Sequence, residues 1–171
     1  TRVDSASTND LTDNNTVTSA TGKQSNAGQF TSANSEYLSI TDNADLSTGD
    51  IDFSVAGWVY LDSKTADMTW IGKETSSTGE FFLRYEQSGG LDRFRWVVLN
   101  SSNVGIGSVN ASTLGSPSTG TWYFIYAYHD SVNNQVGISV NNGAVDTAAT
   151  TGVPSDTTAS FYIGQNGYGA S

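Results

Sequence analysis

The stretch that decides the fold is Asp50-Ile51-Asp52-Phe53-Ser54-Val55-Ala56-Gly57-Trp58-Val59-Tyr60-Leu61. Ile51, Phe53, Val55, Gly57, Val59 and Leu61 share one parity, and Ala56, Trp58 and Tyr60 share the other. Side chains that alternate with period two lie on opposite faces of a β-strand. Both faces are largely apolar, so the expectation is a central strand covered on both sides, with Phe53 and Trp58 in the core.

Working outward, strand signals recur at short intervals. Upstream, residues 36–40 alternate. Downstream, the pattern returns at 68–73, 80–87, 91–100, 104–109, 122–129, 135–140, 144–147 and 160–165. Ser88-Gly89-Gly90, Asn133-Asn134 and Asn141-Asn142-Gly143 supply turn chemistry between them. Helical periodicity is absent. About nine strands at hairpin spacing imply an all-β, antiparallel two-sheet jelly-roll sandwich. The 171 residues form a single domain, 1–171, in which residues 1–34 read as a mostly polar loop anchored by Val3, Leu11, Val17 and Phe30.

Composition narrows the function. Aromatics make up 11% of the chain, which separates it from disordered sequences, while only 14% of residues are charged. Seventeen acidic residues against seven basic ones give a net charge of −10, so nucleic acid and anionic membrane surfaces are not expected partners. Without cysteine there is no disulfide, thiolate metal site or cysteine nucleophile. No apolar run is long enough for a membrane-spanning helix.

The segment from Asp50 to Val59 resembles the hydrophobic "F-t-i-x-x-W-v" strand of laminin G-like jelly rolls, within the concanavalin A-like lectin and glucanase group. Ala27-Gly28-Gln29-Phe30 followed by Tyr37-Leu38 is similar to that family's entry motif. Gly120-Thr121-Trp122-Tyr123-Phe124, then Val136 to Gly143, then Phe161-Tyr162-Ile163-Gly164, resemble its later strands in the right order. The resemblance covers roughly residues 20–165. It implies a concanavalin A-like sandwich whose usual first and last strands would lie before Thr1 and after Ser171. An open sheet edge, a longer parent protein or a strand-donating neighbour follows from that expectation.

Catalytic chemistry is hard to place. Glycoside hydrolysis needs two carboxylates roughly 5–10 Å apart. The related glucanases carry an E-x-D-x-x-E strand, and Glu36, Glu74, Glu80 and Glu86 do not fall into that pattern. Glu80 and Glu86 share a strand face but would stand about 20 Å apart. The single histidine, His129, precedes Asp130 and reads as a turn residue rather than a base.

Binding chemistry is easier to place. Arg84, Arg93 and Arg95 gather on one face if their strands form a hairpin, making a basic patch for a carboxylate or sulfate on a glycan, or simply pairing with Glu86 and Asp92. Trp70 joins them as a candidate sugar contact, while Trp122 is placed in the core. Asp42, Asp45, Asp50 and Asp52 are candidate Ca²⁺ ligands, or else ordinary turn residues. The expected function is a non-catalytic binding or adhesion module of a larger protein, at an extracellular, cell or virion surface, recognising a glycan or a surface protein. The alternative is a structural surface protein, such as a virion decoration or filament subunit, that self-assembles through open sheet edges.

Overall fold

In the computed structural model, which describes residues 1–168, the chain folds into thirteen β-strands with only three single-turn 3₁₀ segments among the described residues. In chain order the strands are β1 (Thr12–Asn14), β2 (Thr18–Thr21), β3 (Asn26–Gln29), β4 (Tyr37–Ile40), β5 (Phe53–Tyr60), β6 (Met68–Glu74) and β7 (Gly79–Glu86). They continue as β8 (Arg93–Leu99), β9 (Gly105–Asn110), β10 (Trp122–Asp130), β11 (Gln135–Val140), β12 (Asp146–Ala149) and β13 (Phe161–Ile163). A seven-stranded antiparallel sheet, in the order β1-β4-β13-β6-β7-β8-β9, faces a four-stranded antiparallel sheet, β12-β11-β10-β5. The hairpin β2-β3 forms a small third sheet. This is the expected all-β jelly-roll sandwich.

The core is filled by the inward parity of each strand. Leu83, Phe94, Trp96 and Val98 from one sheet meet Ile125, Ala127, Val136 and Ile138 from the other, all essentially buried. Trp96 reaches across the gap, and its Nε1 donates to the carbonyl of Tyr128 at 3.0 Å. An indole buried without that acceptor would lose a hydrogen bond to water for nothing in return.

The alternation in 53–60 is real, but its meaning differs from the expectation. Among the described residues β5 pairs only with β10, at the edge of its sheet. Phe53, Val55 and Val59 point inward, whereas Trp58 and Tyr60 are each 41% exposed. Two apolar faces on one strand therefore reflect an aromatic surface, not a second covering layer. Trp122, also expected in the core, lies beside Tyr60 on the same outer face and is half-buried.

The first 34 residues are more ordered than a polar loop. They hold three short strands, and the β2-β3 hairpin is flanked by Val17 (2% exposed) and by Phe30, whose ring packs against Gly164 just after β13. Val3 is 80% exposed and anchors nothing. His129 is no turn residue either. It is buried within β10, where Nδ1 bonds the Ile51 carbonyl at 2.9 Å and the ring packs on Phe53.

Candidate functional site

The outer face of the four-stranded sheet carries a row of aromatic rings. Register sets it out: Trp122 stands opposite Tyr60, Phe124 opposite Trp58, and Tyr126 opposite Ala56. Direct cross-strand pairs bring side chains within contact distance on one face. Ring centroids accordingly lie 5.2 Å apart for Tyr60–Trp122 and 5.5 Å for Trp58–Phe124, and along β10 itself Tyr126 and Tyr128 lie 5.7 Å apart. All three pairs are tilted rather than stacked, so each ring leaves part of its π-face or edge toward solvent. A contiguous exposed aromatic surface of this kind marks an interaction site.

Polar groups frame one end of the row. The β2-β3 turn brings Lys23 over Trp58, with Nζ 5.2 Å from the ring centroid. On the other side, the turn after β11 has Asn141 and Asn142 in left-handed conformation, at φ 54° and 56°. Asparagine tolerates that region better than other side chains bearing a Cβ. Asn141 is committed to structure: its N–H donates to the Phe124 carbonyl and its Oδ1 accepts from the Phe124 N–H. Lys23, Trp58, Trp122, Phe124, Asn141 and Asn142 together line a shallow depression of about 500 Å³. Ring faces, amides and one ammonium are the groups that engage the C–H faces and hydroxyls of a sugar.

The comparisons agree with this architecture. A family model described as the concanavalin A-like lectin/glucanases superfamily, of laminin G type, matches residues 31–171. The chain belongs to the concanavalin A-like lectin/glucanases superfamily. No curated protein sequence matches it. Among solved structures, this superfamily member is similar to the binding domain of Paraclostridial Mosquitocidal Protein 1, with a TM-score of 0.71 and 12% identity over 96% of the chain and 44% of that protein. It is also similar to domain 4 of AbnA, a GH43 extracellular arabinanase from Geobacillus stearothermophilus solved with arabinotriose. There the TM-score is 0.63 and the identity 21%, over 88% of this chain and 67% of that one. Mouse laminin α1 domains LG4-5 give 0.50 and 15%, over 71% and 31%. At these identities the likeness establishes the fold, and the chain spans less than half of the mosquitocidal protein's binding domain.

In this lectin/glucanase-type sandwich the arginines do come together, on the outer face of the other sheet. Arg84 sits directly opposite Arg95, and Arg93 opposite Glu86. Much of the charge is spent internally. Glu86, 6% exposed, accepts from Arg84 Nε at 2.9 Å and from Arg95 Nη1 at 2.7 Å, and Arg84 also covers the Phe82 ring. Asp92 turns elsewhere. It pairs with Lys64 at 2.9 Å and accepts from Ser116 and Tyr85. These contacts, the Ser116 bond first, hold its carboxyl well below the ordinary range. Trp70 shares a cavity with Arg84 but not with Arg93 or Arg95. It is half-buried between the sheets, against the inner side of Gly57.

The aspartates are distributed among different partners. Asp42 pairs with Lys73 at 2.7 Å, Asp45 accepts from Asn9, and Asp52 accepts from the Ser131 N–H and hydroxyl. Asp50 is exposed. Among the described residues no three Asp, Glu, His or Cys side chains converge in a way that would hold a metal ion, so these four do not fit a shared calcium shell. The glutamates are likewise engaged one by one: Glu36 with Asn34, Glu74 with Tyr168, Glu80 with Lys73, and Glu86 with the arginines.

The aromatic row was missed at the sequence level because Trp58 and Trp122 were assigned to the core. The signal was present. Trp122, Phe124, Tyr126 and Tyr128 share a parity opposite to that of the plainly apolar Ile125 and Ala127. On a strand with one aliphatic and one aromatic face, the aromatic face is the one suited to a wet surface.

Proposed function

We propose that the chain is a non-catalytic glycan-binding module of a larger extracellular or surface protein, and that it holds uncharged sugars on the outer face of the four-stranded sheet. The observation that carries this reading is the row of exposed Trp58, Tyr60 and Tyr126 with half-buried Trp122 and Phe124 among them, ending in the depression framed by Lys23 and Asn142. An ordinary soluble surface does not leave this much ring area in water without a partner. The net charge of −10 works against acidic glycans, and Lys23 is the one cation lining the depression among the described residues. A domain of the same fold solved with arabinotriose supports a furanose or pyranose oligosaccharide as the class to try first.

The test is a glycan array on the purified chain, run with Ca²⁺ and with EDTA, and repeated with Trp122→Ala and with Arg84→Ala/Arg95→Ala. The expected result is binding to neutral oligosaccharides that survives EDTA, is lost in Trp122→Ala and is kept in the arginine variant. Binding that vanishes with EDTA moves the site to the aspartates. Binding that vanishes with the arginines moves it to the other sheet. A blank array from folded protein overturns the reading.

A further inference from the structure

A cluster of buried charge lies on the other sheet from the aromatic row. Lys73 on β6 and Glu80 on β7 are both fully buried, and Asp42 reaches Lys73 from the loop that follows β4. Strand register explains how the first two meet. Lys73 stands opposite Phe81 and Glu74 opposite Gly79, so Glu80 is the extra residue of a β-bulge. A bulge re-aims a side chain, here onto the Lys73 ammonium. Buried charges of this kind contribute little net stability compared with apolar side chains of the same size, so the cluster calls for another reason.

The three groups are held unequally. Glu80 is fixed by four donors besides Lys73: the Thr48 N–H and hydroxyl at 3.2 and 2.7 Å, and the Thr157 N–H and hydroxyl at 2.8 and 3.1 Å. Asp42 has only Lys73 among the described residues. Its Oδ1 is buried, accepts no hydrogen bond of normal geometry, and lies 2.7 Å from Nζ. The carboxyl carbon is at most one C–O bond further away, which brings amine and carbon close to reacting distance. Two of the three N–H positions of Nζ are directed to Glu80 and to the Thr157 carbonyl, and the third faces Asp42.

We propose that Lys73 and Asp42 condense into an amide that cross-links the loop after β4 to β6, with Glu80 carrying the proton. The Lys73 ammonium first gives a proton to the Asp42 carboxylate, leaving a neutral amine beside a neutral acid. The lone pair freed on the side facing Asp42 adds to Cγ and forms the C–N bond. Glu80 takes a proton from the positively charged nitrogen and returns it to a hydroxyl on Cγ. The C–O bond breaks, water leaves, and Glu80 ends as the carboxylate it began. One ammonium and one carboxylate become one amide and one water, with no oxidant and no co-reactant. Glu80 is not the carbon attacked, because its oxygens would have to give up the Thr48 and Thr157 bonds to leave. The fold supplies what free lysine and aspartate lack, a fixed pairing at high effective concentration. In a chain without cysteine, the amide closes the segment between residues 42 and 73 as a disulfide would, and restricts the unfolded state in the same way. The inference is independent of the sugar platform.

The test is the intact mass of the purified, unaltered chain after folding and full denaturation. The expected mass is lighter than the sequence by one water. Proteolysis then yields a branched peptide that contains both Asp42 and Lys73, with the amide located by fragmentation. Lys73→Met and Asp42→Ala give the full sequence mass. Asp42→Asn still forms the amide and becomes lighter by one ammonia instead. Glu80→Gln delays the lighter species at least tenfold. The full sequence mass in the unaltered folded chain overturns the proposal, and that reading does not depend on how any variant folds. A loss of water that persists in Lys73→Met arises elsewhere in the chain and overturns it too. So does an undelayed reaction in Glu80→Gln.

Discussion

Trp58 on β5 and Phe124 on β10 are direct cross-strand partners, with ring centroids 5.5 Å apart at 57°, on the face turned away from the core. Neither ring is part of the buried cluster between the sheets. The pair contributes to folding mainly through its own contact, of about 0.5–1.5 kcal/mol. Trp58→Ala is therefore expected to lower stability by about 1 kcal/mol or less while reducing glycan affinity at least tenfold. Denaturant unfolding and binding isotherms on the same sample check the split. A loss of 3 kcal/mol or more would place the ring in the fold and not in the site.

Gly57 marks the opposite case, an inward position where no side chain fits. A Cβ there would lie 2.8 Å from Cζ2 of Trp70. Gly57→Ala must displace the indole, at an expected cost of about 1–3 kcal/mol. Tryptophan emission and near-ultraviolet circular dichroism should change with it, since Trp70 is the ring displaced. An unchanged spectrum and unchanged stability would show that the indole yields to a methyl group freely.

Lys73 and Glu80 form a fully buried ion pair that ties distant segments together. Lys73 also pairs with Asp42 at 2.7 Å and donates to the Thr157 carbonyl, while Glu80 accepts from the Thr48 hydroxyl and the Thr157 N–H. Removing one partner strands a buried charge. Lys73→Met is expected to cost about 3–5 kcal/mol, and Lys73→Met/Glu80→Gln to recover part of that loss. Urea unfolding of the two variants measures it. A double variant no better than the single one would mean that the loop anchors at Thr48 and Thr157 matter more than the charge balance.

Glu74 gives the stability a pH dependence. Burial pushes its pKa from 4.5 up to about 7, against the opposing bond from the Tyr168 hydroxyl at 3.1 Å. Below about 4.5 the group is neutral in both folded and unfolded chains, and its contribution is fully present. As pH rises, the unfolded chain ionises first, so stability falls until the folded-state pKa of about 7 is passed. The expected loss between pH 4.5 and 7.5 is about 3 kcal/mol, and Glu74→Gln should flatten it. Melting curves across that range decide the point. An identical slope in the variant would assign the effect to another group.

Much of the fold was legible because strand periodicity is a local property. The parity of 53–60, the turn glycines and asparagines, and nearly every later strand came through in order, with ends displaced by a residue or two. The segment 144–147 moved furthest, to Asp146–Ala149, because pairing with β11 sets its register. The arginine cluster was legible for the same reason. Arg84, Arg93 and Arg95 meet because two adjacent strands fix which residues face which. Charge neutralisation by Glu86 depends on side-chain reach, and parity alone leaves it open between pairing and display.

By itself, then, the sequence determined the strands, their faces and the sandwich class, since alternation and turn chemistry act between near neighbours. It could not say which of the two apolar faces of β5 meets water. That was decided by sheet order, which places β5 at an edge beside β10 and leaves Trp58, Tyr60 and Trp122 outside. The neutralisation of Arg84 and Arg95 by Glu86 is likewise a product of tertiary structure, because a side chain's partner depends on what the rest of the chain brings next to it.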